Sequence, residues 1–301
     1  MTRAARTPRS GRTPQGAVAV VTGAAGAIGT EIALALDAAG AHLALVDLHR
    51  DGLEAVQARL SRPAQLITAD LTRAADITRI REEVINRHGA CHLLINNAGV
   101  VIVEPFEDSR TDTIETELNV NLLAPALLSR EFFPWLRLGR DQGGAWQQGQ
   151  IVTVVSMAGI IPIAESAVYT ASKFGLRGLM LALAQRFAGQ GVLVSSILPG
   201  GVDTGMLRHE ATHGGSPLNF LSEPQTARQV AQAVLASIHR PRLERYVPYG
   251  DGLSGRLAML WPGLLPRLTP LMNVLGERGR QRYLKARGLT AVVPHDSARM
   301  P

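Results

Sequence analysis

The chain has one cysteine, Cys91, in 301 residues, which excludes an internal disulfide framework and any cysteine-based zinc site and fits a reducing compartment. It has no uninterrupted run of about 20 apolar residues, so a transmembrane helix is excluded. Residues 1–14 are rich in Arg, Thr, Pro and Gly without an apolar run, so they are no secretory signal; a short disordered basic tail suits them better than an Arg-rich transit peptide. No internal repeat of 20–50 residues is evident. Acidic residues are missing where the basic ones gather: Arg3, Arg6, Arg9 and Arg12 at the start, and Arg278, Arg280, Arg282, Lys285 and Arg287 near the end. These nine charges exceed the whole-chain excess of +6, so the rest is slightly acidic and a basic groove for nucleic acid is not expected. What is present, 46% hydrophobic and 19% charged residues, is ordinary for one large soluble domain.

Short apolar runs alternate with helical patterns from residue 17 to about 250. Ala17–Val21, Leu43–Val46, Leu66–Ile67, Leu93–Ile95, Ile151–Val155, Val192–Leu198 and Arg245–Pro248 read as strands, mostly of the kind buried on both faces. Helices are expected between them, including a long one over 112–138 that Pro125 and Pro134 bend or break, and another over 168–190. That order predicts an α/β fold, a doubly wound parallel sheet of the Rossmann type with about seven strands. The expected organisation is a basic tail at 1–14, a nucleotide-binding domain at 15–250 and an extension at 251–301, apolar and then basic. A polar Gly/Gln loop is expected at 139–149.

Two features carry chemistry. Gly23, Gly26 and Gly29 lie between a buried strand and a helix, where bare backbone can approach a pyrophosphate at a helix N-terminus. Asp47 ends the next strand, where a carboxylate can accept bonds from an adenosine ribose and repel a 2′-phosphate; this favours NAD over NADP, with Arg50 nearby keeping NADP in view. The second feature is scarcity itself. Lysine occurs twice, and Lys173 follows Tyr169 by four residues, a pairing that chance predicts about 0.03 times in such a chain. On a helix the two share a face, and a cation beside a phenol lowers its pKa toward that of a general base. A solvated surface pair fits these two residues alone equally well.

Taken in order, the motifs resemble those of a short-chain dehydrogenase/reductase of the larger, common subgroup over about residues 16–250. Thr22-Gly23-Ala24-Ala25-Gly26-Ala27-Ile28-Gly29 is similar to the family's TGxxxGxG turn. Asp70-Leu71 is similar to its adenine-contacting acid, Asn96-Asn97-Ala98-Gly99 to its NNAG segment, and Pro199-Gly200-Gly201-Val202-Asp203-Thr204 to its PGxVxT segment beside the nicotinamide. The resemblance implies a catalytic tetrad of Asn121, Ser156, Tyr169 and Lys173. It implies cofactor contacts from Gly23, Ala25, Gly26, Ile28, Gly29, Asp47, Asp70, Leu71, Asn97, Ala98, Gly99, Tyr169, Lys173, Pro199, Gly200, Val202 and Thr204. In those roles Ser156 holds the substrate oxygen, Tyr169 moves the proton, Lys173 lowers the tyrosine's pKa and binds ribose, and Asn121 distorts its helix and anchors a water. The resemblance also implies a cytoplasmic homodimer or homotetramer acting on a small-molecule alcohol or carbonyl.

Val100, Val101, Met157, Ala158, Ile161, Ile163 and Met206 fall on the substrate side, and their apolar character points to a hydrophobic substrate. His209 and His213 are spaced for a metal only on a helix and have no evident third ligand, so no metal site is expected and the stretch 205–221 is read as a lid. Trp135 and Trp146 are read as core and loop aromatics. The apolar stretch 251–276, broken by Pro262, Pro266 and Pro270 and followed by the basic cluster, suits either a flap packed on the protein or peripheral membrane contact through 251–287. A redox-inactive NAD-binding scaffold and a membrane-surface interaction protein are the alternatives to an enzyme.

Overall fold

The structure, a computed structural model, describes residues 12–138, 146 and 148–291. Most of the tail, nearly all of the Gly/Gln loop and the last ten residues of the extension lie outside the described residues. Seven strands form one sheet: β1 (Val18–Thr22), β2 (His42–Asp47), β3 (Gln65–Thr68), β4 (Leu93–Asn96), β5 (Gly149–Val154), β6 (Val192–Pro199) and β7 (Glu244–Val247). Their order is β3-β2-β1-β4-β5-β6-β7, with every neighbouring pair parallel. The expected doubly wound Rossmann-type fold is therefore present, and the winding reverses between β1 and β4.

Successive strand residues point to opposite faces, so each strand must be apolar on both. Ala19, Val21, Leu43 and Leu45 pack with Ile32 and Leu36 of α1 (Ala27–Ala38), Leu53 of α2 (Arg50–Gln57) and Val230 and Val234 of α8 (Ala227–His239). Val18, Val20, Ala44 and Val46 pack with Ile77 and Ile80 of α3 (Ala74–His88), Leu128 and Phe132 of α5 (Ala124–Leu138) and Leu176 of α6 (Ala167–Arg186).

Three local expectations are revised. The helix read over 112–138 is α4 (Thr111–Leu118), a π-helical turn at Asn119–Leu123, and then α5. Pro125 has no N–H for the Asn121 carbonyl, so the chain departs from α geometry just before it. Pro134 stays inside α5 on its exposed side, where water can take the carbonyl it leaves. Of the described prolines in the extension only Pro262 marks a break; Pro266 and Pro270 lie within one helix. α7 (Gly205–Thr212) precedes α8, and after β7 come α9 (Tyr249–Ala258), a 3₁₀ turn at Pro262–Leu264 and α10, continuous from Leu265 to Arg287. Pro266 lies in the first turn of α10, where its missing N–H has no helical acceptor, and Pro270 removes one interior bond. Finally Arg12, counted above with the tail, is docked: its guanidinium lies 4.6 Å from the Trp146 ring centre and donates to Gln150 Oε1 and the Gln148 carbonyl. Burial there lowers its pKa to about 10.

Candidate active site

All the strands are parallel, so their C-terminal ends share one edge, and every sequence-predicted site residue on a strand exit lies along it. At β1 the turn closes on itself. Gly23 has φ +63°, and a Cβ there would fall 2.7 Å from Ala98 Cα; a Cβ on Gly29 would fall 2.0 Å from the Gly23 carbonyl oxygen. Gly26 occupies the N-cap of α1, and no side chain caps that helix or places an acid in its first turn. The first N–H groups of α1 thus face an edge kept bare of side chains, which fits a pyrophosphate. Ile28 packs inward against the core.

The neighbouring exits hold the turn in place. Asp47 Oδ2 accepts from the Ala25 N–H at 3.0 Å and Oδ1 from the His49 N–H at 3.2 Å, tying the carboxylate to the glycine turn. Asn97 Nδ2 donates to the carbonyls of Thr22 (2.9 Å) and Gly23 (3.1 Å), while the N–H groups of Asn97 and Ala98 both donate to Thr22 Oγ1. Asp70 Oδ1 accepts from the N–H and hydroxyl of Thr72, and Leu71 beside it packs on the core. These bonds fix β4 against β1 at the point where the sheet reverses.

The tetrad candidates converge beside that turn. Lys173 Nζ lies 5.4 Å from the Tyr169 ring centre. A Cβ on Gly99 would lie 3.2 Å from Asn121 Oδ1 and 3.3 Å from Lys173 Nζ, so Gly99 leaves room for both. Ser156 accepts from the Ala158 N–H at 3.0 Å, and its hydroxyl acts on the neighbouring Tyr169 phenol. Asn121 is fully buried, and its side chain holds Val100 at both ends: Oδ1 accepts from the Val100 N–H at 2.9 Å and Nδ2 donates to its carbonyl at 2.8 Å. Its side chain is therefore spent on Val100. Its main-chain carbonyl lies in the π-helical turn, where Pro125 cannot serve as its α-helical donor.

The electrostatics differ from expectation. Tyr169 is half-buried but densely surrounded, and desolvation raises its pKa, against the lowering effect of Ser156; Glu210 and Glu117 add to the rise. Lys173, 3% exposed, is itself lowered by burial to about 8, with Glu117 pulling it back up. The expected lowering of the tyrosine by the lysine is not what dominates here, because burial penalises both charged forms.

Sequence reasoning missed two carboxyls. Glu117, on α4, is 4% exposed; its Oε1 accepts from the Ile102 N–H at 2.8 Å, and burial raises its pKa. Glu210, on α7, is 8% exposed, accepts from Asn219 Nδ2 at 2.8 Å and is raised by burial to about 7. No motif marks either residue. An acid on a helix gives no sign of burial in the sequence, so both became visible only in the fold.

The stretch 205–221, read above as a lid, is held by the β6 exit and the extension. Pro199 ends β6, Gly200 donates its N–H to the Val247 carbonyl, Val202 bridges Gln225, and Thr204 caps α7 by accepting from the Leu207 N–H. α7 is helical, so His209 and His213 stack at 4.0 Å on its exposed side, but no group of three metal-ligating residues occurs among the described residues. α10 grips the lid from outside. Cβ atoms on Gly276 and Gly279 would fall 2.2 Å from the Pro217 carbonyl oxygen and 2.0 Å from that of Phe220. The Tyr283 hydroxyl donates to Asp203 Oδ1 at 2.6 Å, Arg287 Nη2 to Oδ2 at 2.6 Å, and Arg208 also reaches Asp203. Of the substrate-side candidates, Met157 and Ile161 lie under α9, where Gly255 leaves them space. Val100, Val101 and Ile163 are half-buried, Ala158 is buried, and Met206 is exposed on α7.

The comparisons with known proteins agree with this layout. Residues 17–214 match the profile of the short chain dehydrogenase family. An uncharacterised oxidoreductase of Bacillus subtilis is 33% identical over 196 residues, 64% of this chain and 74% of that protein. A D-threitol dehydrogenase of Mycolicibacterium smegmatis is 35% identical over 202 residues, 66% of this chain and 75% of that one. Among solved structures, a metagenomic short-chain oxidoreductase in complex with NADP superposes with a TM-score of 0.65 at 30% identity, covering 77% of this chain and 96% of that one.

Proposed function

Because the chain belongs to the short-chain dehydrogenase family, we propose that it transfers a hydride between NAD(P) and an alcohol or carbonyl carbon, with Tyr169 as the acid/base. The observation that carries this is the convergence of Ser156, Tyr169 and Lys173 beside the bare glycine turn. Gly23, Ala25, Gly26, Ile28 and Gly29 would hold the pyrophosphate, Asp47 the adenosine ribose, and Asp70 and Leu71 the adenine. Asn97, Ala98 and Gly99 would line the middle of the cofactor, and Lys173, Pro199, Gly200, Val202 and Thr204 its nicotinamide end. Bound there, the nicotinamide would donate or accept the hydride.

Ser156 holds the substrate oxygen against the phenol. Its desolvated surroundings keep Tyr169 protonated at neutral pH, the form that donates to a carbonyl oxygen during reduction. In oxidation the proton returns to Tyr169 and leaves through Lys173, whose lowered pKa suits it to passing protons near neutrality.

The preference for NAD read from Asp47 is not kept. Asp47 supports NAD, but the relative at 30% identity binds NADP. Arg50 opens α2, bonded to Glu54 at 2.8 Å and exposed enough to pivot toward a 2′-phosphate. Two substrate classes follow from different observations. Met157 and Ile161 under α9 favour an apolar alcohol. Glu210 on the lid, acting on Tyr169, favours a substrate with a second hydroxyl, in keeping with the similarity to a polyol dehydrogenase. The family resemblance supports a homodimer or homotetramer through the outer faces of α5 and α6, working in the cytoplasm.

The test is nicotinamide absorbance with NAD and NADP against a panel of apolar alcohols and four-carbon polyols. Tyr169→Phe is expected to lose at least about 100-fold in turnover while nucleotide binding, read by fluorescence, stays intact. Turnover by that variant at the wild-type rate would end the proposal.

A further inference from the structure

α10 presents two faces of opposite character. Its inward face, with Leu265, Gly276, Arg280, Tyr283 and Leu284 buried, is the one that grips the lid. Its outward face is a single stripe, because Leu264, Leu268, Leu271, Leu275, Arg278, Arg282 and Lys285 recur at alternating spacings of four and three. All seven are exposed, and Leu271 remains 62% so. The first half of the stripe is leucine and the second half is cationic.

The surroundings repeat this division. Upstream, Leu253, Leu257, Leu260 and Trp261 are exposed on α9 and the turn after it, Trp261 by 64%. Residues 252–276 contain no acid. Among the described residues Arg267, Arg278, Arg282 and Lys285 form no ion pair. Where the two halves meet there is an open groove of about 650 Å³, lined by Leu221, Leu275, Arg278, Gln281, Arg282 and Lys285. No tetrad residue lines it.

We infer that this outward face binds the surface of an anionic lipid bilayer. Its apolar half spans Leu264–Leu275, about 18 Å of helix, too short to cross a hydrocarbon core of about 30 Å but suited to lying in its surface. No helix among the described residues is long and apolar enough to cross. An anionic bilayer supplies both matching layers, acyl chains for the leucines and Trp261 and phosphate headgroups for the unpaired cations. A second copy of the stripe matches poorly: side by side in parallel it sets arginine against arginine, and antiparallel it sets leucine against arginine.

The test is flotation of the full chain with vesicles of phosphatidylcholine and phosphatidylserine in a 7:3 ratio, compared with phosphatidylcholine alone, at low and high salt. The expected result is flotation with the anionic vesicles, about 10- to 100-fold weaker with neutral ones and weakened by salt. Leu268→Ser/Leu271→Ser/Leu275→Ser should abolish flotation. Arg278→Gln/Arg282→Gln/Lys285→Gln should remove only the preference for anionic lipid, which keeps the inference testable if the serine variant does not fold. Wild-type protein that stays in the dense fractions with anionic vesicles at low salt overturns the inference. So does equal flotation by a folded serine variant. A larger assembly in solution that the serine substitutions dissociate, without flotation, assigns the stripe to a second copy and also overturns it. Flotation is read without substrate or nucleotide, so it stands or falls apart from the hydride-transfer proposal.

Discussion

At the C-terminal edge of the sheet, Glu117, Lys173 and Glu210 are each under a tenth exposed, whereas Arg278, Arg282 and Lys285 on the outer stripe of α10 stand in solvent. The first group gives up hydration and moves toward its neutral forms: Lys173 falls to about 8 and Glu210 rises to about 7. Protonation there is set by packing, so small changes of geometry change chemistry. The second group keeps its water, and acts as a field extending about 10 Å at ordinary salt. One chain thus uses charge locally, where it is desolvated, and at a distance, where it is not.

The contrast is broken most severely by Lys173→Met. Activity should fall about 10²- to 10⁴-fold, whereas Lys285→Met should leave turnover unchanged. Stability should move the opposite way. The folded pKa of Lys173 lies below its unfolded value, so the native state is penalised in full below about pH 8 and progressively less as pH rises toward the ordinary lysine range. The methionine variant should therefore melt higher than wild type at pH 7, with a difference that shrinks above pH 8. Equal melting temperatures across that range would mean the ammonium is not desolvated.

A smaller effect is expected from Gly279→Leu, which drives a side chain into the Phe220 carbonyl. Overpacking of this kind costs about 1–3 kcal/mol, here spent on separating α10 from the lid. Proteolysis within 205–221 should become faster and KM should rise more than kcat falls. Unchanged proteolysis would show that the lid stands without α10. The mildest is Glu210→Gln, which keeps an acceptor for Asn219 but cannot ionise. The raised pKa of Glu210 means its contribution is fully present below about pH 4.5 and lost as pH rises through about 7. The variant should match wild type in thermal melts at pH 4.5 and exceed it at pH 8.

The sheet and the site differ in how far they can be read from residues alone. β1 and β2 are legible because burial on both faces forces an unbroken apolar run, and their ends are marked by Gly23 and Asp47. Ser156 is legible as a strand exit and Tyr169 and Lys173 by their helical spacing, whereas Asn121 is marked only by the family resemblance. Glu117 and Glu210 are not, since an acid on a helix is solvated unless something covers it, and the cover for Glu210 is the lid's own turn at Gly215–Asn219. Arg12 is similarly opaque: its partner Trp146 is 134 residues away in sequence, and no local pattern links them. Pro270 misleads because a helix can lose one interior bond when docking on one side and open solvent on the other stabilise the rest. Gly276 and Gly279, three residues apart on one helical face, are the signal of close backbone approach that the prolines obscured.

Asp203 sits one residue before the cap of α7, and Tyr283 and Arg287 reach it from the far end of α10, while Gly276 and Gly279 hold the lid's second turn. With both attachments made, the lid cannot swing as a short loop. It is packed along a helix of 23 residues that holds it from outside. Any displacement of 205–221 would have to carry that helix with it or break its contacts with Asp203, Pro217 and Phe220.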